Sequence, residues 1–555
     1  MSNSLAAEAA PSTVTTTHAR FSPSSIAWPL AAIGLVLAMQ LTMVFTRPVN
    51  WDEFWFHYHV HEFVRGAQQN PLQSLHGRLF AWLTAIPGNT VEAIAMARLV
   101  MLGCEMLTLG AIYALARRFT TSGIAALAAL LYISAGFVFQ HGFSFRTDPM
   151  ITAALMWALV VLARTRLRLP EILAFGLLAG FATMISVKTV LLAPAFAGIA
   201  WLRFAKSNRD PRMALRIVAC SVAALAAFLT IYSWHASGLG TGSQEANSNA
   251  GGTLAGSLAW MFFLGIPPYW HMFAKGAMIA VVLTALACWT PRLLWKEDRD
   301  RAEKIALAGL WFPMLCPLFY TNTAPYFYAY SMAPVAVSVV WAAEKLVARY
   351  DLRKIAMLLL VLTAALLITE DRQTVSRQKQ VVEAADAMFA EDIAYFDHDG
   401  MIARFDKAND FLTPWGMAQY AQRGTSIYRE TMEQRTVPLL LANADVLQEA
   451  MDGEPVPLTE TDIAALRGNY IRYWGPFYVA GKRVDGAGQE EFLVPGPYRV
   501  AEGSVAVDGT TYDAGDAMEI ARGTRNLSGE GTLIWNGVGD KPAEAWDDGP
   551  LYVDF

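Results

Sequence analysis

Long apolar runs fill the first 370 residues of the chain. A helix needs about 20 consecutive apolar residues to cross a bilayer, and most of these runs reach or approach that length. We therefore predict a polytopic α-helical membrane region with about eleven spans, at residues 25–45, 91–116, 121–140, 149–164, 171–186, 188–204, 213–234, 272–290, 304–320, 328–346 and 353–369.

The pattern changes after residue 370. Apolar positions recur at helical spacing in residues 376–395 and 440–451. From residue 469 onward, alternating runs such as EEFLVPGPYRV and GTLIWNGV are separated by Gly and Pro, which is typical of strands and turns. We predict a C-terminal extracytoplasmic α+β domain that ends in a small β-sandwich or barrel.

These patterns divide the chain into four predicted parts. They are a cytoplasmic N-terminal tail (1–24), a membrane catalytic domain (25–370) with an outer loop (46–90), a mixed helical region (371–468) and a β-rich domain (469–555).

Composition agrees with this division. The chain is 54% hydrophobic and only 16% charged, whereas soluble domains carry about 25% charged residues. Residues 371–555 hold 31 acidic and 16 basic residues, and residues 1–370 hold 17 and 27. A basic membrane region therefore precedes an acidic, water-exposed region, and a basic nucleic-acid-binding surface is not expected.

Basic residues also predict the orientation. Short loops rich in Lys and Arg, such as RTRLR at 164–168 and RYDLRK at 349–354, all fall on one side of the predicted bundle. That side is the cytoplasm by the positive-inside rule. We predict a multi-pass protein of the bacterial inner membrane, with the N-terminus in the cytoplasm and the C-terminal domain in the periplasm.

The periplasmic side carries the candidate chemistry. The segment RPVNWDEFWFHYHVHEF at 47–63 follows the first span and contains Asp52 and Glu53, and FRTDPM places Asp148 at the start of another span. Ionisable residues at membrane depth are functional candidates by default. Acids there could serve as a base or as metal ligands, so we predict these three as catalytic residues.

Four cationic or potentially cationic residues lie on the same side: His76, Arg78, Arg146 and Lys188. Such groups could stabilise a leaving phosphate during transfer from a phosphate-bearing lipid to a hydroxyl. We predict that they bind the donor phosphate. Two structural alternatives stay open, because Arg146 and Asp148 could form only an ion pair and Lys188 could extend to the lipid headgroups.

A metal site is a further candidate. His57 and His61 are four residues apart, a spacing that suits a transition metal on a helix, with Glu53 or His76 as a third ligand. The sequence identifies no certain cofactor and leaves a divalent metal open. The aromatic residues of the same segment, Trp51, Phe54, Trp55 and Tyr58, are most simply an aromatic belt on an interfacial helix.

Several motifs together resemble the GT-C type of membrane glycosyltransferase, in the branch of protein O-mannosyltransferases and the lipid A aminoarabinose transferase. WDEFWFHYHV stands where that branch has an Asp-Glu loop, and FRTDPMITAALMWAL resembles its Arg-x-Asp-Pro start of a span. TAPYFYAYSMAPV is similar to its late Pro/Tyr loop, and ARLVMLGCEMLTLGAIYALARRF to its second span. The resemblance covers residues 25–370.

The resemblance implies specific roles for the acids. Asp52 would be the catalytic base that deprotonates the acceptor, so that it attacks the anomeric carbon with inversion. Glu53 would hold the acceptor or a cation, and Asp148 would be a supporting acid.

It also implies that His76 or Arg78, together with Lys188, contacts the phosphate of a polyprenyl-phosphate sugar donor. Here the chain departs from the family pattern. Gly77 and Arg78 replace the prolines of the family's His/Lys-Pro-Pro-Leu segment, and Thr189 follows Lys188 where the family usually has Lys-Gly-Pro.

The predicted function is therefore an inverting glycosyltransferase that moves a sugar from a polyprenyl-phosphate donor to a hydroxyl or phosphate of a lipid, glycan or protein acceptor. Two other classes stay open from the sequence. One is a transporter or flippase of lipid-linked sugars, and the other is a non-enzymatic polysaccharide assembly protein.

Overall fold

The computed structural model describes residues 24–240, 243–410 and 412–553. Residues 1–23 of the predicted cytoplasmic tail lie outside the described residues.

The predicted membrane region is helical. Its seventeen α-helices in the described residues are α1 (Ser24–Thr46), α2 (Trp51–Arg65), α3 (Leu75–Leu79), α4 (Thr90–Ala116), α5 (Ser122–Ile133), α6 (Gly136–His141), α7 (Thr147–Arg164), α8 (Leu169–Ile185), α9 (Ala193–Lys206), α10 (Pro211–Ala236), α11 (Ser243–Met261), α12 (Trp270–Ile279), α13 (Val281–Lys296), α14 (Arg301–Trp311), α15 (Phe327–Ser338), α16 (Val340–Arg349) and α17 (Leu352–Thr369). Short 3-10 helices occur at Ala81–Ala85, Val187–Leu192 and Phe312–Leu318.

This is a multi-pass membrane protein. In the described residues, six helical segments are long and apolar enough to span a bilayer: Ile26–Thr46, Thr90–Ala116, Thr147–Arg164, Val187–Lys206, Pro211–Ala236 and Leu352–Thr369. Two bent pairs, α12 with α13 (103°) and α15 with α16 (64°), pass the same test together. All eleven predicted runs are mostly helical, but several are shorter or broken, so the count of eleven spans stays a prediction.

Two helices form the centre of the bundle. α7 packs against α4, α8 and α15, and α15 also packs against α4, α5 and α14. Every residue of α15 is buried, and so are fifteen of the eighteen residues of α7. A helix that is apolar on all sides is stable only when its neighbours surround it. Both helices begin at the candidate site described below.

The C-terminal region mixes helices and strands. Its elements are α18 (Thr374–Met388), β1 (Ala394–Phe396), β2 (Asp406–Lys407), α19 (Pro414–Arg423), α20 (Ile427–Gln434), β3 (Leu439–Leu441), α21 (Asp445–Asp452), α22 (Glu460–Asn469), β4 (Tyr470–Trp474), β5 (Phe477–Asp485), β6 (Gly488–Phe492), β7 (Gly496–Val507), β8 (Thr510–Asp513), β9 (Ala517–Ile520) and β10 (Gly523–Trp535).

These strands form one connected sheet. Its order is β2-β1-β3-β5-β10-β7-β8, with β4 paired to β5, β6 to β10 and β9 to β7. β1 is parallel to β2 and β3, and the other pairs are antiparallel. The strands predicted after residue 469 are present, but they continue a sheet that begins at residue 394 and pair across the predicted boundary at 468.

Two predicted helices are corrected in length. α18 ends at Met388 instead of residue 395, and α21 begins at Asp445 instead of residue 440. β1 and β3 occupy part of the remaining residues. These strands are only three residues long, so their apolar side chains fit a helical spacing as well as a strand.

The C-terminal domain packs on α2. Gln378 of α18 accepts a hydrogen bond from the amide of Val49 (2.8 Å) and donates to the carbonyl oxygens of Val49 (2.7 Å) and Leu551 (2.8 Å). Tyr552 packs edge-on against Trp51 and Phe54, with ring centroids 5.9 and 6.3 Å apart. The start of α2 is therefore held from both the membrane bundle and the sheet domain.

Candidate active site

The start of α2 positions the two adjacent acids. Asn50 is the N-cap: its Oδ1 accepts from the amide of Asp52 (3.0 Å), and Glu53 Oε2 accepts from the amide of Asn50 (3.1 Å). This capping box fixes the first turn of the helix. The positive end of the helix dipole also favours two acids in this turn.

Glu53 is buried and fully hydrogen-bonded. Arg98 of α4 donates to both of its oxygens, from Nε (2.8 Å) and Nη2 (2.6 Å), and the amide of Phe145 donates at 2.7 Å. With the Asn50 amide, four donors fill the roughly four lone-pair positions of a carboxylate. This geometry leaves Glu53 no position for an acceptor or a cation, contrary to the role that the resemblance implies.

Asp52 points to a different partner. It accepts a hydrogen bond from Arg146 Nη1, at the residue that precedes α7. Arg146 Nε lies 3.7 Å from Asp148 Oδ2, and Lys188 Nζ donates to Asp148 Oδ1 at 2.7 Å. The side chains of Asp52 and Lys188 are 15% and 13% exposed, and the two central residues 6% and 2%. We call these four residues the ion-pair chain. Its two central residues are buried, and its two end residues are partly exposed.

Tyr326 completes this cluster. Its ring lies 3.3 Å from the Arg146 guanidinium carbon and 5.6 Å from Lys188 Nζ. Its hydroxyl donates to Asn322 Oδ1 (2.9 Å). Sequence reasoning identified the Pro/Tyr loop but not this residue, and a tyrosine directly before a buried helix was the available signal.

His76 and Arg78 have partners outside the ion-pair chain, although Phe56 lies between His76 and Arg146. His76 is buried against Phe56, with ring centroids 4.7 Å apart. Arg78 donates to the carbonyl oxygens of Trp234 (3.1 Å) and His235 (3.2 Å), and its guanidinium stacks on the Trp234 ring at 4.4 Å. Cations commonly bind the unpaired carbonyls at helix C-termini, and Arg78 does so at the end of α10.

His57 and His61, the predicted metal ligands, are not joined by either of the predicted third ligands. The rings of His57 and His61 are 5.0 Å apart, and burial lowers the pKa of His57 to about 3. Glu53 is bound to Arg98, and His76 packs near His59 instead. In the part of the chain that the structure describes, no group of three or more His, Cys, Asp or Glu side chains could hold a metal ion.

An apolar groove of about 480 Å³ is lined in part by Val187 and Thr189, the chain neighbours of Lys188. It is lined mainly by α8, α9, α10, α11 and the 3-10 helix Val187–Leu192, with Val187 and Thr189 on either side of Lys188. The lining includes Phe175, Ala179, Met184, Val190, Phe196, Ala224, Phe228 and Leu254. A long hydrocarbon chain could lie here with a polar end at the ion-pair chain.

Known proteins resemble this chain in part of its sequence and in its fold. Residues 75–234 match the model of the dolichyl-phosphate-mannose-protein mannosyltransferase family. No curated protein sequence matches the chain. ArnT from Cupriavidus metallidurans bound to undecaprenyl phosphate superimposes with a TM-score of 0.52 and 13% identity, over 71% of this chain and 88% of ArnT.

The chain has the GT-C fold. The apo structure of the same ArnT gives a TM-score of 0.50 and 12% identity, over 75% of this chain and 93% of ArnT. The predicted resemblance and the predicted fold class, with many apolar helices and a C-terminal β-rich sheet, are confirmed.

Proposed function

We propose that the chain is an inverting glycosyltransferase that moves a sugar from a polyprenyl-phosphate donor to an acceptor hydroxyl. It would act at the periplasmic face of a bacterial inner membrane. The observation that carries the proposal is the ion-pair chain, which combines an acid with two cations, one of which is Lys188, the residue between Val187 and Thr189 of the groove lining.

The groove supports the lipid part of the donor. Its lining is predominantly apolar, so the hydrocarbon chain of a membrane lipid can pass from the bilayer into it without meeting unsatisfied polar groups. The GT-C fold supports the same assignment, because the similar ArnT was solved with undecaprenyl phosphate.

The reaction needs one base and one anion site. Asp52 takes the proton of the acceptor hydroxyl while the acceptor oxygen forms a bond to the anomeric carbon. The bond from that carbon to the phosphate oxygen breaks, and its electron pair leaves with the polyprenyl phosphate. Lys188 and Arg146 stabilise the additional negative charge on the phosphate.

Arg146 links the two halves of this step. Before transfer its charge is shared by Asp52 and Asp148. When Asp52 takes the proton it becomes neutral, and Arg146 then has an uncompensated charge as the phosphate gains one. The total charge of the site is unchanged during the reaction, which lowers the cost of charge transfer in a partly buried site.

Glu53 receives a positioning role in this proposal. Its bonds to Arg98 and to the Phe145 amide join α2, α4 and the turn before α7. Arg146 follows Phe145 directly, so this joint holds Asp52 and Arg146 in contact.

The test is Asp52→Asn in the purified full chain, with polyprenyl-phosphate sugars as donors. Loss of general-base catalysis lowers the rate of transfer by about 10²- to 10⁴-fold. Glu62→Gln, an acid on the same helix outside the ion-pair chain, is the matched control and keeps the wild-type rate.

A normal rate of transfer by the Asp52→Asn variant excludes the mechanism. Absence of transfer by the wild-type chain from every polyprenyl-phosphate sugar excludes the enzyme class. In that case the transporter and the assembly protein are the remaining explanations.

A further inference from the structure

A second cavity, of about 680 Å³, lies in the C-terminal domain beside the first residue of α2. Trp51, which precedes Asp52, forms part of its lining on the α2 side. The opposite side is formed by residues that follow β1 and β3 and by the segment 546–553. The cavity therefore adjoins the residue next to the proposed base, on the side of the sheet domain.

One wall lies at the carboxyl ends of parallel strands. His398 follows β1 and Asn443 follows β3, and both line the cavity. Open sheets with parallel strands bind ligands at this edge, in the crevice beyond the strand ends. The position in the fold thus indicates a binding site independently of the residues that occupy it.

The polar groups of this wall are fixed in place. Asn443 accepts from the amide of His398 (2.8 Å) and donates to the Tyr552 hydroxyl (3.1 Å). Tyr552 in turn donates to Asp399 Oδ2 (2.7 Å). Rigidly held polar groups lose little entropy when they bind a ligand.

Aromatic rings supply the apolar surfaces. Trp51, Tyr478 and Trp546 line the cavity. Trp546 lies over Gly475, whose φ is +50°, and a Cβ at that position would come within 3.0 Å of the indole ring. Aromatic faces pack against the C–H surfaces of sugar rings, while nearby carboxylate and amide oxygens accept hydrogen bonds from sugar hydroxyls.

The charge of the lining selects against anions. Four carboxylates contribute to it, at Asp371, Asp445, Asp452 and Asp548. Among the described lining residues, Arg472 is the one permanent cation, and it lies 3.7 Å from Asp548. Burial and the nearby charge of Lys407 lower the pKa of His398 to about 4, so His398 adds no positive charge at neutral pH.

We propose that this cavity binds the acceptor, and that the acceptor is a glycan segment without phosphate groups, either uncharged or carrying amines. The proposal rests on the proposed function and specifies its acceptor. A glycan in this cavity contacts Trp51, and its acceptor hydroxyl reaches Asp52, the next residue of α2. A phosphorylated acceptor meets four carboxylates with one guanidinium to offset them.

The test measures binding to immobilised oligosaccharides, using the purified full chain without any donor. The array contains uncharged manno-, gluco-, xylo- and chito-oligosaccharides, de-N-acetylated chito-oligosaccharides, and phosphorylated manno-oligosaccharides. We expect binding to members of the first two groups and at least tenfold weaker binding to the phosphorylated manno-oligosaccharides than to their uncharged counterparts.

Two variants connect binding to the cavity. Trp546→Ala lowers the affinity for the bound glycans at least tenfold, whereas the control Tyr473→Ala, an aromatic residue on β4 outside the lining, leaves it unchanged. Asp548→Lys, at a side chain that is 84% exposed and so tolerates replacement, raises the affinity for the phosphorylated oligosaccharides.

A preference for phosphorylated oligosaccharides, an absence of binding to every glycan, or equal binding by wild type and Trp546→Ala each overturns the proposal. The two proposals fail separately. Glycan binding without transfer from any donor overturns only the proposed function, and transfer without glycan binding overturns only the cavity as the acceptor site.

Discussion

The surroundings of Asp52 and those of Glu53 differ although the two residues are adjacent. Glu53 is 1% exposed, and four donors occupy its oxygens. Asp52 is 15% exposed and is one of the two partly exposed ends of the ion-pair chain. Successive residues on a helix point about 100° apart, which directs Glu53 to Arg98 and Asp52 to Arg146.

This difference separates two uses of a charge near a membrane. A buried carboxylate with all its lone pairs occupied can hold segments together but has no capacity for a substrate. A carboxylate with one partner and partial exposure can exchange that partner for a proton. Adjacent acids in a motif therefore need not share a role. Measurements of thermal unfolding and of the rate of transfer on variants of each acid distinguish a structural role from a catalytic one.

The largest effect is expected for Glu53→Gln. Removing one charge of a buried ion pair leaves Arg98 unpaired and costs about 3–5 kcal/mol of unfolding free energy. Thermal unfolding of the purified full chain measures this as a large drop in the midpoint temperature.

The double variant Glu53→Gln with Arg98→Met provides the control, because it removes both charges and recovers much of the lost stability. A single variant that unfolds at the wild-type temperature contradicts the structural role of Glu53.

The second prediction concerns Lys188, at one end of the ion-pair chain. Lys188→Met removes a cation that we propose contacts the donor phosphate, and a hydrogen bond to a charged group contributes about 1.5–3 kcal/mol. We expect KM for the polyprenyl-phosphate donor to rise about 10- to 100-fold. Steady-state kinetics with varied donor measure this, and Lys188→Arg retains most of the affinity. An unchanged donor KM would show that Lys188 only compensates Asp148.

The sequence was sufficient to identify Asp52, Arg146, Asp148 and Lys188 as candidates, because charged residues in apolar surroundings are conspicuous and the motifs resemble a known family. Their linkage into one chain of contacts was not predictable. Asp148 meets Lys188 only because the start of α7 packs beside the 3-10 helix Val187–Leu192, and such packing depends on residues far apart in the chain.

Arg98 was not identified as a candidate from the sequence. It is a single arginine within the long apolar helix α4, which is the pattern that predicts a buried charge with a partner. Its partner Glu53 is 45 residues away, so the sequence alone could not separate Glu53 from Asp52. In the sheet domain, the strands β1 and β3 are too short to be recognised in the sequence. The grouping of polar residues at their carboxyl ends was therefore not predicted.

A second pair of acids sharpens the comparison. Asp397 and Asp399 are both buried, but Lys407 and the amides of Gly400 and Met401 outweigh burial and hold the pKa of Asp397 below its usual value. Burial and the charge of Asp397 raise the pKa of Asp399. In the folded protein Asp399 therefore stays protonated at pH values at which it is ionised in the unfolded chain.

The third prediction follows from the raised pKa of Asp399. Above the unfolded pKa of about 4, the unfolded chain releases this proton and the folded protein does not, so Asp399 lowers stability progressively as pH rises toward its folded pKa. Asp399→Asn removes this loss. The variant should gain thermal stability relative to wild type between about pH 5 and 8.

Asp397→Asn is the matched comparison and behaves in the opposite way. The pKa of Asp397 is lowered in the folded protein, so the stability that this carboxylate contributes is present above the unfolded pKa and is lost as the solution is acidified. Thermal unfolding of each variant at several pH values measures both effects. A gain for Asp399→Asn that is the same at every pH contradicts the assignment.

The smallest effect is expected for Arg78→Met. Arg78 binds the carbonyl oxygens at the end of α10 and does not contact the ion-pair chain. We expect KM for the donor to change less than about threefold, which corresponds to roughly 0.6 kcal/mol. The matched measurement is Lys188→Met under identical conditions. An equal rise in both variants would mean that Arg78 reaches the phosphate when the donor binds.

The contact between Gln378, Val49 and Leu551 has a consequence for biogenesis. Membrane helices insert in chain order, but the loop before α2 is bound by a side chain that also binds a residue translated much later. With the proposed orientation, this set of hydrogen bonds is complete only after Leu551 has crossed the membrane. The order of translation therefore sets the order in which the two sides of this contact become available.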